Sequence, residues 1–286
     1  ERLDDDGSLP MNLNLSVTAD TTVVCKINRW RNEGIKSSGQ ITGKVDYYSS
    51  MTFPGILDRD VIVWLPPGYT TGEQKYPVLY MHDGQNVFDP ATSYLGFDWR
   101  ADETADSLIR TGKMEPILIV GIYNSEQRTA DYSDTATGRA YQKFIIEKLK
   151  PFIDKTYRTK DGPQNTAVMG SSMGGLASFL LAWNHPSIFG KAGCLSPAFI
   201  APFDSAITMV QFATEKKNIQ LYLDNGTEGL EAKLQPGCDA MLHALRQKGY
   251  ADGKDIRWYL DEGAEHNEPA WARRLWRPFL FLFPAK

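Results

Sequence analysis

The sequence predicts an α/β fold, a doubly wound and mostly parallel sheet built as one large domain, and three observations carry that reading. Short, continuously apolar runs recur along the chain, as at residues 77–82 (PVLYMH), 116–123 (PILIVGIY) and 166–170 (TAVMG). Runs of that kind suit strands buried on both faces. Helical patterns alternate with them. The third observation is bulk: 42% of the 286 residues are hydrophobic, enough for one large core, and no repeat or low-complexity linker interrupts the chain after residue 45.

Residues 1–41 read as a β-rich extension. ERLDDDGSLP is acidic and turn-rich, Leu13, Leu15 and Val17 alternate with polar residues, and residues 23–27 (VVCKI) form a second strand pattern. Such a segment is too short to be a domain by itself. The main domain spans residues 42–286. Its expected strands are 45–53, 60–65 (ended by Pro66-Pro67-Gly68), 77–82, 116–123, 166–170, 193–196, 219–224 and 256–260. Its expected helices are 101–110, 140–153, 173–183, 238–248 and 269–283, with Pro151 tightening or ending the second.

Composition excludes several classes. The formal charge is −4 and the 31 basic residues are dispersed, unlike the footprint of a nucleic-acid binder. No apolar run approaches the roughly 18 residues of a membrane helix. Cys25, Cys194 and Cys238 match no metal motif, and as a low, odd count they read as small apolar side chains rather than a disulfide framework. No metal or organic cofactor is expected. The chain begins at Glu1 rather than Met and shows no signal peptide, so the compartment stays open, a secreted or periplasmic one included.

The chemistry is expected at Gly170-Ser171-Ser172-Met173-Gly174, which fits G-x-S-x-G. The pentapeptide alone is weak, and its bland reading is a Gly-Ser turn capping a helix. Its setting is stronger, because it follows a predicted strand and opens a predicted helix. That is the strand–turn–helix of a nucleophile elbow, in which the flanking glycines remove side chains that would collide. Ser172 is the expected nucleophile.

A serine hydroxyl needs a base, and the chain has four histidines. His243 lies within a helical pattern and His185 at a helix end. His82 ends a strand, where a structural hydrogen bond is the expectation. His266 lies in DEGAEHNEPAW, after the last strand and before the last helix, where this type of fold places its base. The acid should come between serine and histidine, in LYLDNGTEGLE. Glu228, in the turn, is favoured over Asp224 at the strand end, and Glu231 reads as the carboxylate that suits a helix start. The oxyanion donors are expected to be the main-chain N–H of Met173 and, in the loop His82-Asp83-Gly84-Gln85-Asn86, that of Gln85, with Gly84 permitting a sharp turn. Trp99, Trp271 and Trp276 are candidate cleft aromatics, and Arg128, Arg139 and Arg273 candidate anion contacts.

These pieces resemble the esterase family of α/β hydrolases that includes enterochelin esterases, feruloyl esterases, S-formylglutathione hydrolase and antigen 85-type mycolyltransferases. The matching stretches are VWLPPGY (63–69), YPVLYMHDGQNVFD (76–89), GSSMGGL (170–176), LSP (195–197), LDNGTEG (223–229) and DEGAEHNEPAW (261–271), in the expected order. The resemblance implies an α/β-hydrolase fold, Ser172 as nucleophile, His266 as base and an acid at Glu228. The family often has one more residue before the acid, which keeps Asp224 open, and some siderophore esterases work with a Ser–His dyad. The implied activity is carboxylic ester hydrolysis through an acyl-enzyme, first on acyl esters of carbohydrates (feruloyl or acetyl type). A siderophore trilactone, a short-chain ester or acyl transfer stands second. A non-catalytic binding protein on this fold would lack the serine, base or donor loop, and none is missing. The partner is thus a small-molecule or polysaccharide ester, with no nucleic acid and no membrane.

Overall fold

The computed structural model describes residues 40–285. The β-rich extension expected over residues 1–41, and Cys25 with it, lies outside the described residues apart from Gln40 and Ile41.

One sheet of eight strands organises the chain: β1 (Lys44–Met51), β2 (Arg59–Leu65), β3 (Val78–His82), β4 (Leu118–Ile122), β5 (Thr166–Ser171), β6 (Lys191–Leu195), β7 (Gln220–Gly226) and β8 (Ile256–Asp261). Their spatial order is β1-β2-β4-β3-β5-β6-β7-β8. β1 and β2 pair antiparallel, as do β2 and β4, and every pairing from β4 to β8 is parallel. The continuous apolar runs are the reason: β3, β4 and β5 are buried at every residue.

Because successive strand side chains point to opposite faces, each strand feeds two cores. Val63, Tyr80, Val120, Val168 and Leu221 enter one. Its cover is α3 (Ala136–Lys143), which the short α2 (Arg128–Asp131) precedes, with α4 (Lys150–Thr156), α5 (Met173–Asn184), α6 (Ser205–Gln211) and α7 (Leu230–Gln247). Ile62, Leu79, Met81, Ile119 and Met169 enter the other, under α1 (Ala101–Arg110), α8 (Glu268–Arg274) and α9 (Trp276–Leu282).

Three helices depart from expectation. The helix expected over 140–153 is α3, a π-helical turn at Phe144–Leu149, then α4. The widened turn directly precedes Pro151, whose ring would press on a carbonyl one regular turn back, so the chain continues instead of stopping. Helix α7 begins eight residues before the expected 238 and runs through Pro236 and Gly237. Gly237 is there for packing, since a Cβ would sit 2.1 Å from the Phe199 carbonyl oxygen. The last expected helix divides at Leu275 into α8 and α9.

Core packing sets the stability. Phe179 is fully buried, stacked on Trp183 at 5.5 Å and edge-on to Phe199 at 5.5 Å. Phe179→Ala is expected to cost about 3–5 kcal/mol of unfolding free energy in urea melts. Phe212→Ala, at a side chain 79% exposed, should change it by less than about 0.5 kcal/mol.

Candidate active site

Ser172 lies between β5 and α5 with φ 56° and ψ −120°, a conformation rare for any residue with a Cβ. Strain of this kind costs about 1–3 kcal/mol and persists only where surroundings enforce it. Here they do. Gly170 and Gly174 approach so closely that a Cβ on Gly170 would lie 2.7 Å from the Gly174 carbonyl carbon. The Ser172 N–H donates to Leu195 O at 2.9 Å, and its carbonyl accepts from Leu176 and Ala198, each at 3.1 Å. Although Ser172 is the N-cap of α5, its side chain makes no capping hydrogen bond. The capping-turn reading therefore fails, and the hydroxyl stays available.

His266 stands in the loop between β8 and α8, and its ring packs edge-on against Trp271, with centroids 5.0 Å apart. The carboxylate beside it is Glu231, whose Oε1 lies 3.4 Å from His266 Nδ1, ion-pair distance rather than a tight hydrogen bond. Glu231 is the second residue of α7 and wholly buried. Ser196 Oγ donates to the same oxygen at 2.6 Å and accepts from Trp271 Nε1 at 3.0 Å and Arg274 Nη2 at 2.7 Å. Burial would raise the Glu231 carboxyl, but His266, Ser196 and Arg274 outweigh it and hold the group below the ordinary glutamate value. It is therefore an anion at neutral pH.

The structure does not bring Glu228 to His266. The N–H groups of Thr227 and Glu228 both donate to Ala264 O, at 3.1 and 3.0 Å, which pins the turn against the histidine loop. The Glu228 side chain is left exposed, with Thr227 Oγ1 as neighbour at 3.3 Å. Asp224 is buried but committed elsewhere: Arg274 Nη2 and the Ser196 N–H both reach its Oδ1 at 3.1 Å. Sequence reasoning set Glu231 aside as a helix-start carboxylate, and it missed Ser196 and Arg274 as the partners that hold it. A signal existed, because Glu231 stands on the apolar stripe Leu234, Cys238, Met241, Leu245 of α7, a face where an isolated acid has no structural purpose.

The loop expected to supply the second donor is held by several hydrogen bonds. Asp83 takes the left-handed conformation (φ 58°, ψ 46°), and residues 84–86 make one 3-10 turn. Gly84 is thus not the turn residue expected of it. It is required by contact, since a Cβ there would lie 2.5 Å from the Gly121 carbonyl carbon of β4. Arg128 grips both oxygens of Asp83 at 2.6 and 2.8 Å, and Asn124 Nδ2 adds a bond at 2.6 Å. Gln85 is held from two sides: its Oε1 accepts the Asn124 N–H at 3.1 Å and its carbonyl the Thr92 hydroxyl at 2.6 Å. Among the described residues, the main-chain N–H groups of Gln85 and Met173 have no acceptor. Both are free for an anion, Met173 at the start of the 12-residue helix α5.

His82 is fully buried, and its Nδ1 and the Tyr141 hydroxyl share a 2.7 Å hydrogen bond, the structural role expected of it. Trp99 and Trp271 are not cleft aromatics. They are 1% and 5% exposed, pack on each other at 5.7 Å, and Trp271 gives its N–H to Ser196. Of the arginines, Arg128 is held by Asp83 and Arg139 by Asp134 at 2.9 Å. Cys194 and Cys238 are free, buried thiols, pushed well above the ordinary value chiefly by burial, and so unreactive. The carboxylates that could approach a metal, Asp98, Asp102 and Glu103, have oxygens within 4.8 Å of one another. Burial raises Asp102 to about 8, so it is largely protonated at neutral pH and offers a cation little charge.

A mostly parallel sheet with a strained serine turn closing a central strand is the arrangement of α/β-hydrolase-fold esterases. The chain belongs to the family described as "Putative esterase", whose model matches residues 57–282. It is 29% identical over 230 residues to an endo-1,4-beta-xylanase/feruloyl esterase of Xylanibacter ruminicola, which covers 77% of this chain but 29% of that protein's length. Among solved structures it resembles a ferulic acid esterase (TM-score 0.70, 21% identity, covering 84% of this chain and 97% of the other). It also resembles the enterobactin esterase of Shigella flexneri (TM-score 0.65, 16% identity, covering 88% and 62%). At those identities the two structures share its fold.

Burial pushes the His82 imidazole down to about 4, with Arg128 and Arg59 adding to the fall and Asp83 opposing it. The unfolded chain then binds more protons than the folded one between pH 6.5 and 4. Unfolding free energy should decline by up to about 3 kcal/mol as pH falls through that window. Urea melts should show this slope flattened in His82→Gln; an unchanged slope would mean that His82 titrates normally.

Proposed function

We propose that the chain is a serine carboxylic ester hydrolase that works through an acyl-enzyme. The observation that carries the reading is the strained Ser172, held at positive φ with its hydroxyl uncommitted at the carboxyl end of β5. Around it the proposed roles follow. His266 is the base, and Glu231, ionised and buried 3.4 Å away, orients it and stabilises the imidazolium. This assignment takes the acid from Glu228.

His266 removes the Ser172 proton as the hydroxyl attacks the ester carbonyl. The N–H groups of Met173 and Gln85 receive the oxyanion, each such donor being worth about 3–4 kcal/mol in the transition state. His266 then protonates the leaving alcohol, and the acyl group stays on Ser172. In the second half His266 activates water, the acyl–oxygen bond breaks, and the serine is restored. Acyl transfer would use the same intermediate with an alcohol in place of water. The proposed substrates are acyl esters of carbohydrates, feruloyl or acetyl in type. Support comes from the 230-residue similarity to the xylanase/feruloyl esterase.

A fluorophosphonate should label the wild type and not Ser172→Ala, and Ser172→Ala should lose turnover by roughly four to six orders of magnitude while melting normally. Feruloylated and acetylated xylan fragments, p-nitrophenyl esters and a siderophore trilactone form the substrate panel. Hydrolysis of the trilactone alone would overturn the carbohydrate assignment. Glu231→Gln should lower kcat/KM by about 10²- to 10⁴-fold, and Glu228→Gln should leave it within about twofold. The reverse order would restore Glu228 as the acid.

A further inference from the structure

A cleft of about 830 Å³ is lined by the loop after β3, α1, α8 and the start of α9, near the upper end of the roughly 300–1,000 Å³ common for ligand sites. One wall is the loop after β3, through Pro90, Gly96 and Phe97, the other is α8 and the start of α9, through Pro269, Arg273 and Trp276, and α1 completes the lining through Glu103, Thr104 and Ser107. Both walls adjoin in sequence the loops that carry Gln85 and His266. Asn86, the residue after Gln85, accepts the Tyr94 N–H at 2.9 Å and reaches Glu268 with its amide at 3.4 Å. Pro269 follows Glu268 and lies three residues after His266. The first wall is thus an extension of the oxyanion loop, and the second of the histidine loop.

The lining has an unusual combination. Phe97 is 56% and Trp276 41% exposed, large rings that the core has not taken. Charge between them is balanced. Arg100 pairs with Glu103 at 3.2 Å, its N–H binds Asp98 at 3.0 Å, and Arg273 supplies a second cation to the cleft. Two cations face two carboxylates, so no net charge selects an ionic ligand. Exposed rings beside many hydrogen-bonding groups match a neutral molecule with apolar C–H faces and a rim of hydroxyls, which is the chemistry of a pyranose chain.

We infer that this cleft is a glycan subsite, in which Phe97 and Trp276 carry sugar rings of the alcohol half of the ester while its acyl group sits at Ser172. The inference rests on the ester-hydrolase reading for its orientation, but the sugar contact is testable without chemistry. A feruloylated xylo-oligosaccharide and methyl ferulate separate the two halves of the substrate. Trp276→Ala and Phe97→Ala should each raise KM for the oligosaccharide ester roughly five- to tenfold and leave kcat/KM for methyl ferulate within about twofold, which also shows that the variants fold. Calorimetry with xylotetraose on Ser172→Ala should show saturable binding that Trp276→Ala removes. Unchanged KM for the oligosaccharide ester, equal losses on both esters, or no xylotetraose binding would each overturn the subsite. Binding of xylotetraose by a protein that hydrolyses neither ester would keep the subsite and sink the hydrolase reading instead.

Discussion

Everything at the candidate site depends on how closely the main chain at Gly170 approaches that at Gly174. A side chain at Gly170 would force strand and helix apart and disturb the positive φ of Ser172 between them. The contact makes the serine turn so sharp that the hydroxyl cannot cap the helix it precedes, while the first amides of α5 stay unpaired. Strain, free hydroxyl and free N–H are therefore consequences of one packing constraint. The enclosing strands supply the force: β3 and β6 flank β5, and the Leu195 carbonyl at the end of β6 takes the Ser172 N–H directly.

The second constraint is a buried polar network. Arg274 lies between Asp224 and Glu231, with Ser196 bridging Arg274 to Glu231. Buried ion pairs contribute little net stability, since desolvation offsets their attraction. Their value here is geometric. Arg274 occupies Asp224, Ser196 fixes one oxygen of Glu231, and Trp271 is anchored by the same hydroxyl. A glutamate with three rotatable bonds is thereby restricted to the pose in which it meets His266. On the other flank, Asp83, Arg128 and Asn124 restrain the Gln85 loop in the same manner.

The rim differs in character. Four rings on this side of the fold divide into two sets: Trp99 and Trp271 are buried against each other, whereas Phe97 and Trp276 remain partly open. Helix α8 separates them. Its inner face holds Trp271 and Arg274 and so serves the histidine; its outer face, with Pro269 and Arg273, lines the cleft.

Local pattern alone determined the sheet, its strands and the serine turn. All eight strands expected over residues 42–286 exist within a few residues of their expected limits, and for β3, β4 and β5 the reason is that continuous apolar runs have no low-energy alternative to burial on both faces. The expected turn at residues 170–174 is present for the same kind of reason, since glycine spacing is a property of adjacent residues. What the pattern misassigned depended on distant partners. Glu228 and Glu231 differ by three positions in one turn, and their fates were decided by Ala264, which holds Glu228 outward, and by Ser196 and Arg274, which receive Glu231 inward. Gly84 resembled a turn glycine until β4 was seen against it. Trp271 and Trp276 are alike in composition, and only the docking of α8 buried one and left the other open. Sequence thus determined which residues could react, through short-range sterics and hydrophobic periodicity; tertiary structure decided which of them meet, because a carboxylate's partner is chosen by contacts across tens of residues that no local pattern encodes.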